Sequence, residues 1–270
     1  MPRKRKKARS ADTVDKYEVY ELSVQEPMAD CEFIDQVWKE LRGSRCRSIR
    51  EDFCGTAINS IEWVRRHPAH TAVGVDLDPE VLAVAKRRVA KRLRPEQRHR
   101  LQLLQENVLT AATEPVDSVL AFNFSYYIFK TRAKMKRYFK AVHRGLAEGG
   151  IFLLDAYGGS DAFVEMKETR PVEDFTYIWD QNHYNPVTGD VINYIHFRFK
   201  DGSKLQRAFT YEWRLWTLPE LKELLKEAGF RQVHVYWEGT DEDGEGNGEF
   251  AVTTVGEACR GWIAYLVAEA

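Results

Sequence analysis

The chain has 270 residues, 44% of them hydrophobic and 12% aromatic, with 40 basic against 41 acidic side chains and a formal net charge of −1. That length and apolar content can build one large α/β domain with an insertion or two small domains, and they exclude global disorder. A net charge so close to zero gives no nucleic-acid signature for the chain as a whole.

Charge is concentrated at the N-terminus, where Arg3, Lys4, Arg5, Lys6, Lys7 and Arg9 crowd into a basic tail spanning residues 1–13. No apolar run follows it, so it reads as neither a signal peptide nor a membrane anchor. A disordered solubilising tail is the favoured reading; contact with RNA or, in a eukaryote, nuclear import is the alternative. No stretch has the apolar length of a membrane-spanning helix. Cys31, Cys46, Cys54 and Cys259 form no CxxC pair and have no histidine at ligand spacing. They read as reduced thiols of a cytoplasmic protein, with no metal site expected.

Residues 14–47 read as a helical cap, since Phe33, Ile34, Val37, Trp38 and Leu41 recur at helical spacing over 30–41. Residues 48–53 read as a strand and 56–66 as its following helix, stopped by His67-Pro68. A second strand follows at 71–75, then a helix over 79–93 opened by Pro79 and capped by Asp78. Strands at 101–104, 117–122 and 151–155 and a helix at 131–146 complete a β/α alternation. It predicts a parallel, doubly wound sheet across 48–157. The rhythm changes over 158–214. Long aromatic alternating runs at 175–182, 190–200 and 204–213, separated by Asn185-Pro186 and Asp201-Gly202, are hairpin signals of an antiparallel insertion. Residues 215–270 return to a helix at 218–228, stopped by Gly229, and strands at 233–237 and 262–267. The stretch 238–249, rich in Asp, Glu and Gly, reads as a solvated loop.

The chemistry concentrates at Arg50-Glu51-Asp52-Phe53-Cys54-Gly55-Thr56-Ala57, followed by Val73-Gly74-Val75-Asp76-Leu77. A strand, a tight glycine turn, a helix and a second strand ending in a carboxylate suit an adenosine-like ligand. The order resembles the class I S-adenosylmethionine-dependent methyltransferases, whose first strand ends in acid-x-Gly-x-Gly. Glu51 falls on the family's acid and Gly55 on its central glycine, while Phe53 and Ala57 replace the flanking glycines. Leu146-Ala147-Glu148-Gly149-Gly150 before the fifth strand and Ala228-Gly229-Phe230 before the sixth extend the resemblance over roughly residues 48–270. It implies a seven-stranded Rossmann-like sheet flanked by helices, with the antiparallel insertion after the fifth strand acting as a lid, and S-adenosylmethionine as cofactor.

Carried over by position, the resemblance makes Arg50, Glu51, Phe53, Cys54, Gly55 and Thr56 the turn around the methionine part, with Glu51 toward its amino group. It makes Asp76, with Leu77 beside it, the ribose site, and Asn107 and Val108 the adenine site. Asn107 as an ordinary turn residue and Cys54 as a packing residue remain the plain alternatives. Tyr17 and Tyr20 fall where relatives carry an aromatic cover over the cofactor. Asn123, Tyr126 and Tyr127, at the end of the fourth strand, lie where the family places groups near the transferring methyl. They are the catalytic candidates, although an in-line methyl transfer needs a base only when the nucleophile has a proton to lose. The region lacks the Asn-Pro-Pro-Tyr pattern of base and glutamine-amide methylating enzymes.

For the acceptor, the insertion offers Trp179, His183, Tyr211, Trp213 and Arg214, whose rings suit enclosure of a small ligand and whose arginine suits a carboxylate. Glu238 opens the acidic stretch, which topology hangs over the ligand face, favouring a cationic or amine substrate. The expected activity is methyl transfer to nitrogen or oxygen of a small molecule. The rivals are an RNA or protein methyltransferase, a non-catalytic S-adenosylmethionine-binding scaffold or sensor and, more remotely, a nicotinamide oxidoreductase.

Overall fold

The computed structural model describes residues 9–241 and 246–270. From the N-terminus the elements are α1 (Lys16–Val24), α2 (Pro27–Arg42), β1 (Ser48–Asp52), α3 (Ile58–Arg66), β2 (Thr71–Asp76), α4 (Pro79–Arg92), the single turn α5 (Pro95–Arg98), β3 (Leu101–Gln105) and β4 (Val116–Ala121). There follow α6 (Arg132–Gly145), β5 (Leu146–Gly158), β6 (Met166–Val172), β7 (Phe175–Tyr184), β8 (Asp190–Phe199), β9 (Lys204–Arg214), α7 (Leu218–Ala228), β10 (Gln232–Thr240), β11 (Gly246–Thr253) and β12 (Trp262–Glu269). Local rules set several of these boundaries. Asp78 caps α4 by accepting the Glu80 N–H ahead of Pro79. Thr217 and Glu220 form a reciprocal capping box on α7, which ends at Gly229 in the left-handed region.

The chain divides into two units, one of residues 26–162 with 216–270 and one of residues up to 25 with 163–215. The larger unit is built on an eight-stranded sheet in the order β11-β10-β12-β5-β4-β1-β2-β3. Strands β1 to β5 run parallel to their sheet neighbours among themselves, and β12 is antiparallel to both β5 and β10. Strand β10 therefore points the same way as β5. On one face, Phe33, Ile34 and Val37 of α2 and Ile61 and Val64 of α3 join Ile49, Leu120, Ile151 and Leu153 in a buried cluster. Phe152, one residue out of phase with Ile151 and Leu153, faces the opposite way and meets Phe139 of α6 at 5.8 Å. Both faces being covered, the central strands carry unbroken apolar runs.

Seven strands were expected from the sequence, and the eighth is β11. It falls partly in the stretch 238–249 read as a solvated loop. Residues 238–240 instead extend β10 and residues 246–249 begin β11, antiparallel to it; residues 242–245 of that stretch lie outside the described residues. An edge strand can be polar and exposed because its stability comes from the backbone ladder, so it leaves no apolar pattern to read.

The smaller unit is an antiparallel four-stranded sheet in the order β6-β7-β8-β9. Phe175, Ile195, Phe197 and Phe199 form its core, with Val19 of α1. Edge strand β6, also largely exposed, is absent from the sequence reading for the same reason. Arg9, within the basic tail, pairs with Asp174, Glu173 and Glu18, and the Ala11 N–H donates to Ser203 Oγ at 2.9 Å; the rest of the basic run, residues 1–8, lies outside the described residues. Among the described residues no helix is long and apolar enough to cross a membrane.

Candidate active site

At the C-terminal end of β1 the chain turns through three residues of left-handed backbone, Phe53 (φ 57°), Gly55 (φ 53°) and Ala57 (φ 57°). The two positions where the family signature has glycine thus hold the turn conformation with a side chain in place, at a cost of about 1–2 kcal/mol each. Phe53 offsets some of that cost through its ring contacts with Phe129 and Tyr138, at 6.0 and 5.6 Å. Ala57 is wholly buried beside Cys54, Leu82 and Ala85. The turn is stitched to β2 by Cys54 N–H on Val75 O at 3.0 Å and by Gly55 N–H on Asp76 Oδ2 at 2.9 Å. Gly55 faces open space: a Cβ built there meets nothing within 4 Å. Gly74, by contrast, is filled by the Cys54 thiol, so Cys54 acts as the packing residue beneath the turn.

Strand alternation sends the three charged residues of β1 to different sides. Arg50 and Asp52 face α6, where the guanidinium grips the carboxylate through two bonds of 2.9 and 3.1 Å and Tyr138 Oη donates to Asp52 at 2.9 Å. Arg50 is 1% exposed and lies against Gly145. Its guanidinium serves this buried pair and not the turn. Glu51 points the other way, to the N-terminus of α3, where one oxygen accepts both the Ser60 N–H (3.0 Å) and its hydroxyl. Burial pushes the Glu51 pKa up to about 7. Close by, the Thr56 hydroxyl and Asn59 Oδ1 are buried polar atoms with no hydrogen-bond partner.

Asp76 ends β2 half-buried, with one oxygen on Gly55 N–H and the other on Asp78 N–H (3.0 Å). Leu77 N–H adds a third backbone contact to this carboxylate. Leu77 beside it is 63% exposed. After β3, Asn107 is exposed and its side-chain oxygen accepts Leu109 N–H at 2.9 Å, an ordinary turn bond that leaves the amide N–H₂ outward. Val108 is buried beneath it.

At the end of β4 two consecutive residues, Asn123 (φ 58°) and Phe124 (φ 57°), take left-handed backbone. The buried carboxylate of Asp155 on neighbouring β5 accepts both of their N–H groups, at 2.7 and 2.9 Å, and holds this turn. Burial raises Asp155 to about 7 as well. Tyr126 and Tyr127 are fully buried; their hydroxyls donate to the carbonyls of Asp155 (2.7 Å) and Trp216 (3.5 Å), and burial lifts both pKa values well above the ordinary phenol value. Their hydroxyls support the turn from below. Asp30, in the first turn of α2, completes the group of acids. Its carboxylate accepts from the Tyr265 hydroxyl at 3.5 Å and from Asn59, and burial raises it to about 7, with Glu26 adding repulsion.

In the smaller unit, Trp179, Tyr211 and Trp213 share one face of the sheet, with Tyr211 and Trp213 rings 4.3 Å apart and Trp179 at 6.0 and 6.5 Å from them. Tyr17 and Tyr20 of α1 pack on Phe209 of that same face, at 5.8 and 4.7 Å. Arg214, adjacent to Trp213 on β9, projects from the other face, and exposed His183 hydrogen-bonds Glu165 at 3.0 Å. The aromatic candidates are thus together, and His183 and Arg214 apart from them. In the larger unit Glu238 accepts Gly248 N–H at 3.0 Å and closes the β10–β11 hairpin. Sequence reasoning missed Asp30, Asn59, Asp155 and Tyr265. Only Asp155 carried a signal, a lone acid ending a wholly apolar strand.

Residues 54–152 match a family model described as a methyltransferase domain. The chain is 27% identical over 196 residues, 70% of its length and 76% of the relative's, to the Bacillus subtilis (strain 168) protein named "Putative methyltransferase YqeM". Its fold resembles that of a S-adenosylmethionine-dependent methyltransferase from Clostridium acetobutylicum ATCC 824 (TM-score 0.67, 17% identity, 93% of this chain and 96% of that one). It also resembles CalS10, an amino pentose methyltransferase from Micromonospora echinaspora (0.67, 16%, 95% and 97%), and the sugar N-methyltransferase KedS8 from Streptoalloteichus sp ATCC 53650 (0.64, 19%, 100% and 96%). A glycine turn, a carboxylate-ended second strand and these matches agree: residues 54–152 form a methyltransferase domain, and the chain has the fold of S-adenosylmethionine-dependent methyltransferases.

Proposed function

We propose that this enzyme methylates a nitrogen atom of a small-molecule amine, using the cleft above the C-terminal ends of β1, β2, β4 and β5. The observation that carries the reading is the open face of Gly55 beside the half-buried Asp76 carboxylate, with unpartnered polar atoms of Thr56 and Asn59 nearby. Those features fit the cofactor. The Gly55 turn would take the methionine part, and Thr56 Oγ1 and Asn59 Oδ1 would accept from its ammonium alongside Asp30. Asp76 would accept from the ribose hydroxyls, while Val108 and the outward Asn107 amide would meet the adenine. Bound there, the cofactor supplies an electrophilic methyl on a sulfonium.

The chain's own contribution is alignment and exclusion of water. Asp155 fixes the Asn123–Phe124 turn, and with it the floor on which an acceptor nitrogen would lie. A cation bound beside Asp30, Glu51 and Asp155 would favour their ionised forms, so these buried acids would select a cationic cofactor and a basic acceptor over a polyanion. The likeness to KedS8, a sugar N-methyltransferase, supports nitrogen over oxygen, and CalS10 acts on an amino pentose. Incubation with S-adenosylmethionine and separate pools of small amines, phenols, carboxylic acids and transfer RNA should release S-adenosylhomocysteine with the amines. Release only with RNA, and its loss on deletion of residues 1–10, would establish the rival macromolecular reading.

A further inference from the structure

A second concavity of the larger unit lies apart from the glycine turn. It is a groove of about 760 Å³ between the N-terminal half of α2 and the β10–β11 hairpin, a size in the range of small-molecule sites. Its apolar surface includes Trp237 and a three-ring cluster: Phe33 lies 4.3 Å from Tyr265 and 5.9 Å from Phe250, and Phe250 lies 4.7 Å from Tyr265. Glu32 on α2, Glu238 on β10 and Glu249 on β11 also line it; Glu32 pairs with Arg66 at 3.4 Å, and among the described residues none that lines the groove is Lys, Arg or His. Ring faces together with the Glu238 and Glu249 carboxylates make a site for an organic cation.

Tyr265, in the groove wall, also packs toward the reaction region. This residue pairs directly with Asp155 across β12 and β5, its ring lies 5.5 Å from Phe122, which precedes Asn123, and its hydroxyl reaches Asp30. We propose that the groove binds a protonated amine of the methyl acceptor and that the acceptor is a polybasic amine. One basic centre sits, charged, against Phe33, Phe250 and Glu238, while a second, neutral nitrogen reaches past Tyr265 to the methyl. The two centres differ because the reacting nitrogen must keep its lone pair free. That pair forms the C–N bond as the C–S bond breaks, the sulfonium becomes a thioether, and the nitrogen gives up its proton to solvent or to a carboxylate. Assigning the cation to the acceptor rests on the small-molecule reading above; recognition of a cation by the groove does not.

The test uses benzyltrimethylammonium, a permanent cation that accepts no methyl, titrated calorimetrically into the full-length protein beside benzyl alcohol and benzoate. The cation should bind at least roughly tenfold more tightly than the other two, and the double variant Glu238→Gln/Glu249→Gln should lose about tenfold of that affinity. Glutamine at 238 keeps an acceptor for the Gly248 N–H, and an unchanged S-adenosylhomocysteine titration certifies the fold of the variant. Absent cation binding, equal binding of benzyl alcohol, or full affinity in the double variant would each overturn the proposal. Cation binding together with no turnover of any polybasic amine would leave the groove as a cation site and refute its assignment to the acceptor.

Discussion

Replacing Gly55 with alanine separates what the turn does for the fold from what it does for a ligand. The residue sits at φ 53°, and a Cβ there touches no protein atom within 4 Å. The folded-state cost is therefore backbone strain alone, about 1–2 kcal/mol, partly offset by the ~0.4–1 kcal/mol that alanine removes from the freedom of the unfolded chain. A net loss of about 1 kcal/mol corresponds to about 2–4 °C in the melting temperature of a chain of this size. Phe53 and Ala57 hold nearly the same φ with side chains present, so strain alone does not require glycine between them. The open space does, if a ligand fills it. A methyl group there should weaken S-adenosylmethionine binding by roughly ten- to a hundredfold, or about 1.4–2.7 kcal/mol. Thermal unfolding of the ligand-free variant and calorimetric titration with the cofactor read the two effects separately. Native affinity would refute the placement of the cofactor at this turn, and a fall of more than about 10 °C in melting temperature would show a structural glycine instead.

Three further outcomes follow from the buried charges. Glu51 and Asp155 have folded-state pKa values raised by burial to about 7, so between about pH 4 and 7 the folded protein holds protons that the unfolded chain has released. Ligand-free stability should fall as pH rises through that window, by up to about 1.4 kcal/mol per unit for each group; urea unfolding should show a flatter slope for Glu51→Gln, and an identical slope would mean Glu51 is already ionised. Arg50→Met leaves Asp52 buried and unpaired, at a cost of about 3–5 kcal/mol, and adding Asp52→Leu should recover most of it; a single variant with an unchanged urea midpoint would contradict the buried pair. Asp155→Ala releases the Asn123 and Phe124 N–H groups and should lower turnover by roughly tenfold or more, with much less change in cofactor affinity. Equal losses in both would place Asp155 with cofactor binding.

Much of the sheet was legible because its rules are local. Asp78 before Pro79 and Gly229 after Ala228 announce helix ends through bonds made within a few residues, and Ile151 to Leu154 announce a strand buried on both faces. Strands β6 and β11 were not legible, since exposed edges are stabilised by a backbone ladder that sequence pattern does not record. The glycine turn was underread: Phe53 and Ala57 count against a left-handed turn by propensity, yet the contacts of Phe53 with Phe129 and Tyr138, and the burial of Ala57, hold them in it. Within the site, Asp76 could be placed by its strand end. Asp30 and Asp155 owe their environment to partners such as Tyr265 and Asn123, distant in sequence or on another strand.

The most direct measurement is calorimetric titration of purified, cofactor-free protein and its Asp76→Ala variant with S-adenosylmethionine, S-adenosylhomocysteine and NAD. The account predicts that the wild type binds both sulfur ligands and not NAD, and that Asp76→Ala binds them roughly ten- to a hundredfold more weakly with its melting temperature little changed. Binding of equal strength in the two proteins, or none in the folded wild type, would contradict it.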